Sequence, residues 1–220
     1  MEVRGASVVI TGASRGAGRA TAMEMARQGS RVALVARSEG ELREVAKQIE
    51  RDGGEALVAP ADVSDEASVQ RMAEEVLSAF GTVDVLVNNA GTSYRGPVES
   101  MPLERWNDVL AVNLTGAFLC SRAFVPAMRR QGRGHIVNIA SGAGKQGYPN
   151  IAAYSASKFG LIGFAEALAG EVGDAGIKVT TLVPGTIATG FGGRRPGERP
   201  AGVKMLEPED VALAIVGLLR

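Results

Sequence analysis

Tyr154 and Lys158 stand four residues apart in the run Tyr154-Ser155-Ala156-Ser157-Lys158. Read as helix, the run puts a phenol and an ammonium on one face, about one turn from each other. A cation beside a phenol favours the phenolate and draws a tyrosine pKa down from about 10. A tyrosine moved toward neutral pH is a usable general acid and base. The same spacing is common on solvated helix faces, so the remainder of the chain has to supply a reason for the chemistry.

The elements that would position this pair alternate regularly. Strand-like runs at Ala6 to Thr11, Arg31 to Ala36, Ala56 to Ala59, Val83 to Val87, His135 to Ile139 and Ile177 to Val183 are apolar almost throughout. Helix-period segments lie between them: Arg19 to Gln28, Glu39 to Arg51, a helix opened by Ser64-Asp65-Glu66-Ala67, a long one within Leu103 to Arg130, and Ile151 to Val172. Pro208 to Leu219 follows as a last helix, with proline in its first turn. Apolar strands imply a parallel sheet covered on both faces. The expected fold is therefore α/β, a single doubly wound Rossmann-type domain over residues 1–220 with strand order 3-2-1-4-5-6.

Composition narrows the function classes. The 24 basic and 24 acidic side chains cancel, so no cationic surface points to nucleic acid or an anionic membrane. A neutral chain is also prone to self-association. One cysteine and one histidine make neither a disulfide framework nor a zinc set. Cys120, inside Ala117-Phe118-Leu119-Cys120, reads as a small buried hydrophobe. The start has no signal-peptide layout and no uninterrupted apolar stretch reaches membrane-spanning length, so a soluble, cytoplasmic protein is expected.

The first strand runs into Thr11-Gly12-Ala13-Ser14-Arg15-Gly16-Ala17-Gly18. Gly12 allows a tight turn, Gly16 a close approach of backbone to phosphate, and Gly18 close helix-strand packing. The helix that follows aims free N–H groups at a pyrophosphate. The spacing is G-x-x-x-G-x-G, and its place between strand and helix favours a dinucleotide over a bare turn. The second strand ends Val35-Ala36-Arg37-Ser38, with no carboxylate to hold a ribose 2′-hydroxyl. Arg37 and Arg15 would instead clamp a 2′-phosphate, which makes NADP(H) the expected cofactor. Asp62, just past the third strand, suits either an adenine amino group or a cap near Ser64.

With these residues in place, the chain resembles the classical short-chain dehydrogenase/reductase family, in particular its 3-oxoacyl-[acyl-carrier-protein] reductase-like members. The resemblance rests on the glycine loop, Asp62-Val63, Asn88-Asn89-Ala90-Gly91, Asn113, Ser141, Tyr154 to Lys158 and Pro184-Gly185, in that order. It implies that Asp62 and the Val63 backbone lie beside adenine, and that Asn89, Ala90 and Gly91 follow the ribose while Asn88 ties strands together. It also implies that Ile187 N–H and the Thr189 hydroxyl, in the turn opened by Pro184 and Gly185, bind the nicotinamide carboxamide. Asn113 would kink its helix and hold a water beside Lys158, although a polar residue in an apolar helix is equally served by a core hydrogen bond. Ser141 would place its hydroxyl on the substrate carbonyl; as a bare Ser-Gly it also suits a turn. Lys158 would bind the nicotinamide ribose as well as act on Tyr154. His135, at the start of a strand, reads as structural or exposed, and Trp106 as packing.

These roles imply hydride transfer between NADPH and a carbonyl, with Tyr154 as the acid and no metal. The substrate is a small carbonyl or alcohol, with a 3-oxoacyl thioester as one candidate. Competing readings are an alcohol or sugar dehydrogenase working oxidatively, and a catalytically silent NADP(H)-binding regulator. The substrate wall is expected from Thr92 to Pro102, Gly142 to Asn150 and the 185–207 loop, where Arg194, Arg195 and Arg199 would either meet an anionic substrate or stand solvated. Family members usually add a parallel strand after the last helix, whereas this sequence stops at Leu218-Leu219-Arg220, so one open sheet edge is expected. By the same resemblance, helices at 103–130 and 151–172 would pair in a homotetramer or homodimer.

Overall fold

The computed structural model describes residues 2–193 and 204–220. Six strands form one sheet: β1 (Ser7–Thr11), β2 (Arg31–Val35), β3 (Glu55–Val58), β4 (Val85–Asn88), β5 (Gly134–Ile139) and β6 (Ile177–Leu182). Their order is β3-β2-β1-β4-β5-β6, and every pairing is parallel. The expected topology is therefore the observed one. After β3 the chain returns to the other side of β1, so the loops after β1 and β4 diverge at a switch point, where sheets of this kind bind ligands.

Alternation along each strand divides the core. Val8, Ile10, Val32, Leu34, Val85 and Val87 face α1 (Gly16–Arg27), α2 (Glu39–Arg51) and α7 (Pro208–Leu219). Val9, Ala33, Val35, Leu86 and Ile136 face α3 (Glu66–Phe80), α5 (Gly116–Gln131) and α6 (Ala152–Val172). Because successive strand side chains point to opposite faces, buried strands with a helical layer on each side must be apolar at every position.

Local chemistry fixes the helix ends. The Asp65 carboxylate accepts the Ser68 N–H at 2.8 Å and caps α3, while Gly81 at φ 73° ends it. Pro208 opens α7 inside a reciprocal cap between Glu207 and Asp210.

The expected long helix at 103–130 is three pieces. Helix α4 (Leu103–Leu110) passes through a π-helical turn at Ala111–Thr115 into α5. The wider turn brings Asn113 inward, where it is buried. Leu103–Gln131, though interrupted by charged residues such as Arg122, is long and apolar enough to cross a membrane by length and composition. Its apolar side, with Leu119, Cys120, Phe124 and Met128, is instead packed on the sheet.

Candidate active site

The carboxyl ends of β1, β4, β5 and β6 converge on one cleft. After β1, Gly12 adopts φ 68°, and a Cβ there would stand 2.8 Å from Asn89 Nδ2 and 2.9 Å from Ala90 Cα. A Cβ on Gly18 would lie 2.2 Å from the Gly12 carbonyl oxygen. These two positions have no room for a side chain. Gly16, at φ 55°, faces the Thr189 methyl rather than open space, with 3.2 Å available to a Cβ. Arg15 is the N-cap of α1 and makes no side-chain cap there. The first turn of α1 is thus left without a side-chain cap on its N–H groups, beside half-buried Ser14 and exposed Arg15.

Thr11 and Asn89 sew the two loops together. Thr11 Oγ1 accepts the N–H groups of Asn89 and Ala90, each at 3.0 Å. Asn89 Nδ2 donates to the carbonyls of Thr11 at 2.9 Å and Gly12 at 3.3 Å. The Asn89 amide and the N–H groups of Asn89 and Ala90 are therefore all engaged by the end of β1 and the loop that follows it. Asn88 does tie strands, donating to Asn138 Oδ1 at 2.9 Å and Ser121 Oγ at 3.2 Å.

At the far end of the cleft, exposed Arg37 lies close enough to Asp62 to act on its charge. Burial raises the Asp62 pKa, but the hydroxyl and N–H of Ser64, helped by Arg37, outweigh it and hold the carboxyl below its ordinary value. Asp62 Oδ1 accepts both Ser64 groups, at 2.6 and 2.9 Å. The cap of α3 is Asp65, so Asp62 forms a turn and not a helix cap. Val63 is buried against Gly116, the first residue of α5.

The Tyr154 end is held from three elements. The π-turn sends Asn113 into a closed set of bonds: its Oδ1 accepts Thr92 N–H at 2.7 Å, and its Nδ2 donates to Thr92 O and Ser157 Oγ, both at 2.9 Å. The Ser157 hydroxyl donates to Tyr154 O at 2.7 Å. The core hydrogen bond expected of Asn113 is present, and it sits in the π-helical turn. Ser141 caps the short turn after β5 by accepting Ala143 N–H at 3.2 Å, and its hydroxyl also acts on the Tyr154 phenol.

Lys158 is buried, and its Nζ donates to the Ile139 carbonyl at 2.7 Å while standing 5.8 Å from the Tyr154 ring centre. Burial pushes the ammonium pKa down to about 8. Burial also raises the phenol of Tyr154, against the pull of Ser141. This corrects the starting premise. In the protein alone, desolvation dominates both groups, and Lys158 does not draw Tyr154 down.

From β6, the Pro184 carbonyl accepts Gly142 N–H at 3.3 Å, joining this segment to the Ser141 turn. Gly185 faces open space, and Ile187 bridges to Leu206. Thr189 lies over Gly16, its hydroxyl accepting Phe191 N–H at 3.3 Å. Arg194, Arg195 and Arg199 lie outside the described residues. His135 is structural and buried, with Nε2 2.8 Å from Thr180 Oγ1. Trp106 is half-buried on α4, and Cys120 is fully buried, its thiol pushed up to about 12.

Sequence reasoning gave no role to Thr11 and Ser157, and reached Thr92 and Phe191 only as parts of the expected substrate wall. A threonine ending a strand before the glycine loop was the one signal available for Thr11. Thr92 and Ser157 acquire their place through Asn113, across 21 and 44 residues of chain.

The chain matches the family model for short chain dehydrogenases over residues 6–198. It is 42% identical over 182 residues to a 3-oxoacyl-[acyl-carrier-protein] reductase of Synechocystis, covering 82% of this chain and 74% of that one. Among solved structures, an alcohol dehydrogenase from the archaeon Thermococcus sibiricus complexed with 5-hydroxy-NADP superposes with a TM-score of 0.92 at 33% identity, covering 97% of this chain and 90% of that one. A short chain dehydrogenase/reductase from Burkholderia phymatum in complex with NAD superposes with a TM-score of 0.91 at 30% identity, covering 100% and 87%. The chain belongs to the short chain dehydrogenase family. It is an oxidoreductase of that family.

Proposed function

We propose that this oxidoreductase uses a nicotinamide dinucleotide, NADP(H) in preference to NAD(H), to interconvert a ketone and a secondary alcohol. The observation that carries the reading is the grouping of Ser141, Tyr154 and buried Lys158, linked through Phe191 and Thr189 to Gly16 at the open N-terminus of α1. The cleft fits the cofactor: Gly12 and Gly18 admit no side chain, and the uncapped N–H groups suit a pyrophosphate. Arg37 and Arg15 would hold a 2′-phosphate, Asp62 and the Val63 backbone the adenine, and the 89–91 backbone with Lys158 the ribose. Pro184, Gly185, Ile187 and Thr189 would frame the carboxamide. When bound, the nicotinamide supplies the hydride.

The chain's own groups do the rest. Ser141 and Tyr154 donate hydrogen bonds to the carbonyl oxygen and stabilise its growing negative charge. Tyr154 then passes its proton to that oxygen. Burial raises the Tyr154 pKa, so the phenol is the form at hand to donate. Lys158, anchored on the Ile139 carbonyl, keeps a cation near the tyrosine as its proton departs. Asn113 fixes the Thr92 backbone and Ser157, and so fixes the helix turn carrying Tyr154.

Similarity to the Synechocystis reductase makes a 3-oxoacyl thioester one candidate substrate. Exposed Phe118 on α5 and Phe159 on α6 suit pairing of these helices in a dimer or tetramer. Consumption of NADPH, followed at its absorbance band against ketones and 3-oxoacyl thioesters, tests the function. NADPH binding without turnover on any carbonyl would leave a silent binding protein instead. Arg37→Asp should move the NADPH/NADH preference toward NADH, and an unaltered ratio would remove Arg37 from the 2′-phosphate.

A further inference from the structure

Phe191 follows β6, and its ring centre lies 5.6 Å from that of Tyr154 at a tilt of 54°. Its Cε2 stands 3.7 Å from the position a Cβ would take on Gly91, the same position that lies 3.5 Å from Asn113 Oδ1. The next residue, Gly192, adopts φ 74°, and a Cβ there would be 3.2 Å from Ser93 Oγ. Phe191 and Gly192 thus reach from the segment after β6 to the loop after β4, across the Tyr154 cleft. Despite these contacts the ring remains 40% exposed. A phenyl ring left partly in water forgoes burial energy that the fold would otherwise use. Its open surface is available to an apolar ligand, and it borders the group that would protonate the carbonyl.

We propose that Phe191 is the specificity-determining wall of the carbonyl site. The apolar substituent on the reacting carbon packs against the open surface of the ring, and the bulk of the ring limits the size of that substituent. The substrate class is a ketone whose substituent on this side is compact and apolar. This inference rests on the ketone-reductase reading. Truncating the ring enlarges the pocket beside Tyr154 and leaves the phosphate loop, Ser141 and Lys158 untouched. Since one methylene in an apolar pocket changes discrimination by about tenfold or more, a phenyl ring should dominate the size preference.

The test uses the full chain with Phe191→Ala and Phe191→Leu. kcat/KM with NADPH is measured on methyl ketones whose second substituent grows from methyl through phenyl to naphthyl, and the NADPH Kd is measured by nicotinamide fluorescence. Phe191→Ala should raise the bulky-to-small ratio of kcat/KM by about tenfold or more, with Phe191→Leu between it and the native protein and the NADPH Kd unchanged. An unaltered ratio in variants that still reduce the small ketone overturns the proposal. So does an unaltered ratio with tighter NADPH binding, which would assign the space of the ring to the cofactor. A native protein that binds NADPH and reduces no ketone overturns the reductase reading itself, and that result is distinct from an unchanged ratio.

Discussion

The two ends of the sheet are both rich in polar groups, and they use them differently. At the amino ends of the strands a cavity of about 550 Å³ is lined by residues that include Arg4, Asp84, Arg133, His135, Lys178 and Arg220. Several of its groups are already spoken for: Asp84 accepts the Ser7 N–H at 3.0 Å and pairs with Arg133 at 3.1 Å, and His135 meets Thr180. At the carboxyl ends, the α1 N-terminus is left open and a lysine is buried on a single carbonyl. The hollow at the amino ends is therefore the less suited to chemistry. Function belongs where groups are held ready and not yet neutralised by the protein itself.

Within the carboxyl end a second contrast appears. The glycine loop proposed to hold phosphate is built on backbone and on the absence of side chains. The Tyr154 region works through side chains whose ionisation is displaced by burial. Substitutions should separate these modes.

The largest effect is expected from Tyr154→Phe, which removes the proposed proton donor and should lower kcat by about 10²–10⁴-fold while NADPH still binds. Turnover near the native rate would break the assignment. Gly18→Ala comes next, because its methyl would meet the Gly12 carbonyl at a distance that forces the loop to move. Overpacking of about 1–3 kcal/mol corresponds to NADPH binding weaker by roughly 10–100-fold, measured by fluorescence titration. Native affinity would show that the loop tolerates a Cβ and would erase the contrast.

The pH profile gives a third measure. Lys158 loses its proton near pH 8, well below the raised tyrosine, so kcat/KM for reduction should fall about tenfold per pH unit above about 8. Its contribution to stability runs the other way. The folded pKa of Lys158 lies below the unfolded value of 10.5, so the folded chain binds fewer protons between about 8 and 10.5. The cost of burying the ammonium is present below that window and is relieved as pH rises through it. Activity and this part of stability should therefore diverge above pH 8, readable by paired rate and denaturant measurements.

The smallest effect on turnover is expected at the opposite end of the sheet. Asp84→Asn loses a charged hydrogen bond worth about 1.5–3 kcal/mol and should lower the denaturation midpoint with kcat unchanged. A drop in kcat would mean that the two ends are coupled.

Much of the fold was legible because strand and helix periods differ and the punctuation is strong. The bounds of α2 and α7 were readable to the residue, since Glu39, Arg51 and Pro208 sit where helix dipoles and caps favour them. The long apolar segment was not readable in full. Hydropathy carries no signal for a π-turn, which here accompanies Asn113 finding Thr92 on one side and Ser157 on the other.

By itself the sequence determined the order of β and α elements, the glycine loop, the missing acid after β2, and the spacing of Tyr154 and Lys158. These are local properties of side-chain pattern and backbone freedom, and they persist whatever packs around them. Tertiary structure decided the ionisation of the pair and the setting of Phe191. Burial sets Lys158 near 8 and raises Tyr154, because desolvation depends on what surrounds a charge and not on its neighbours in the chain. Phe191 meets Tyr154 from 37 residues away, and contact at such a separation exists only once β5 and β6 stand side by side.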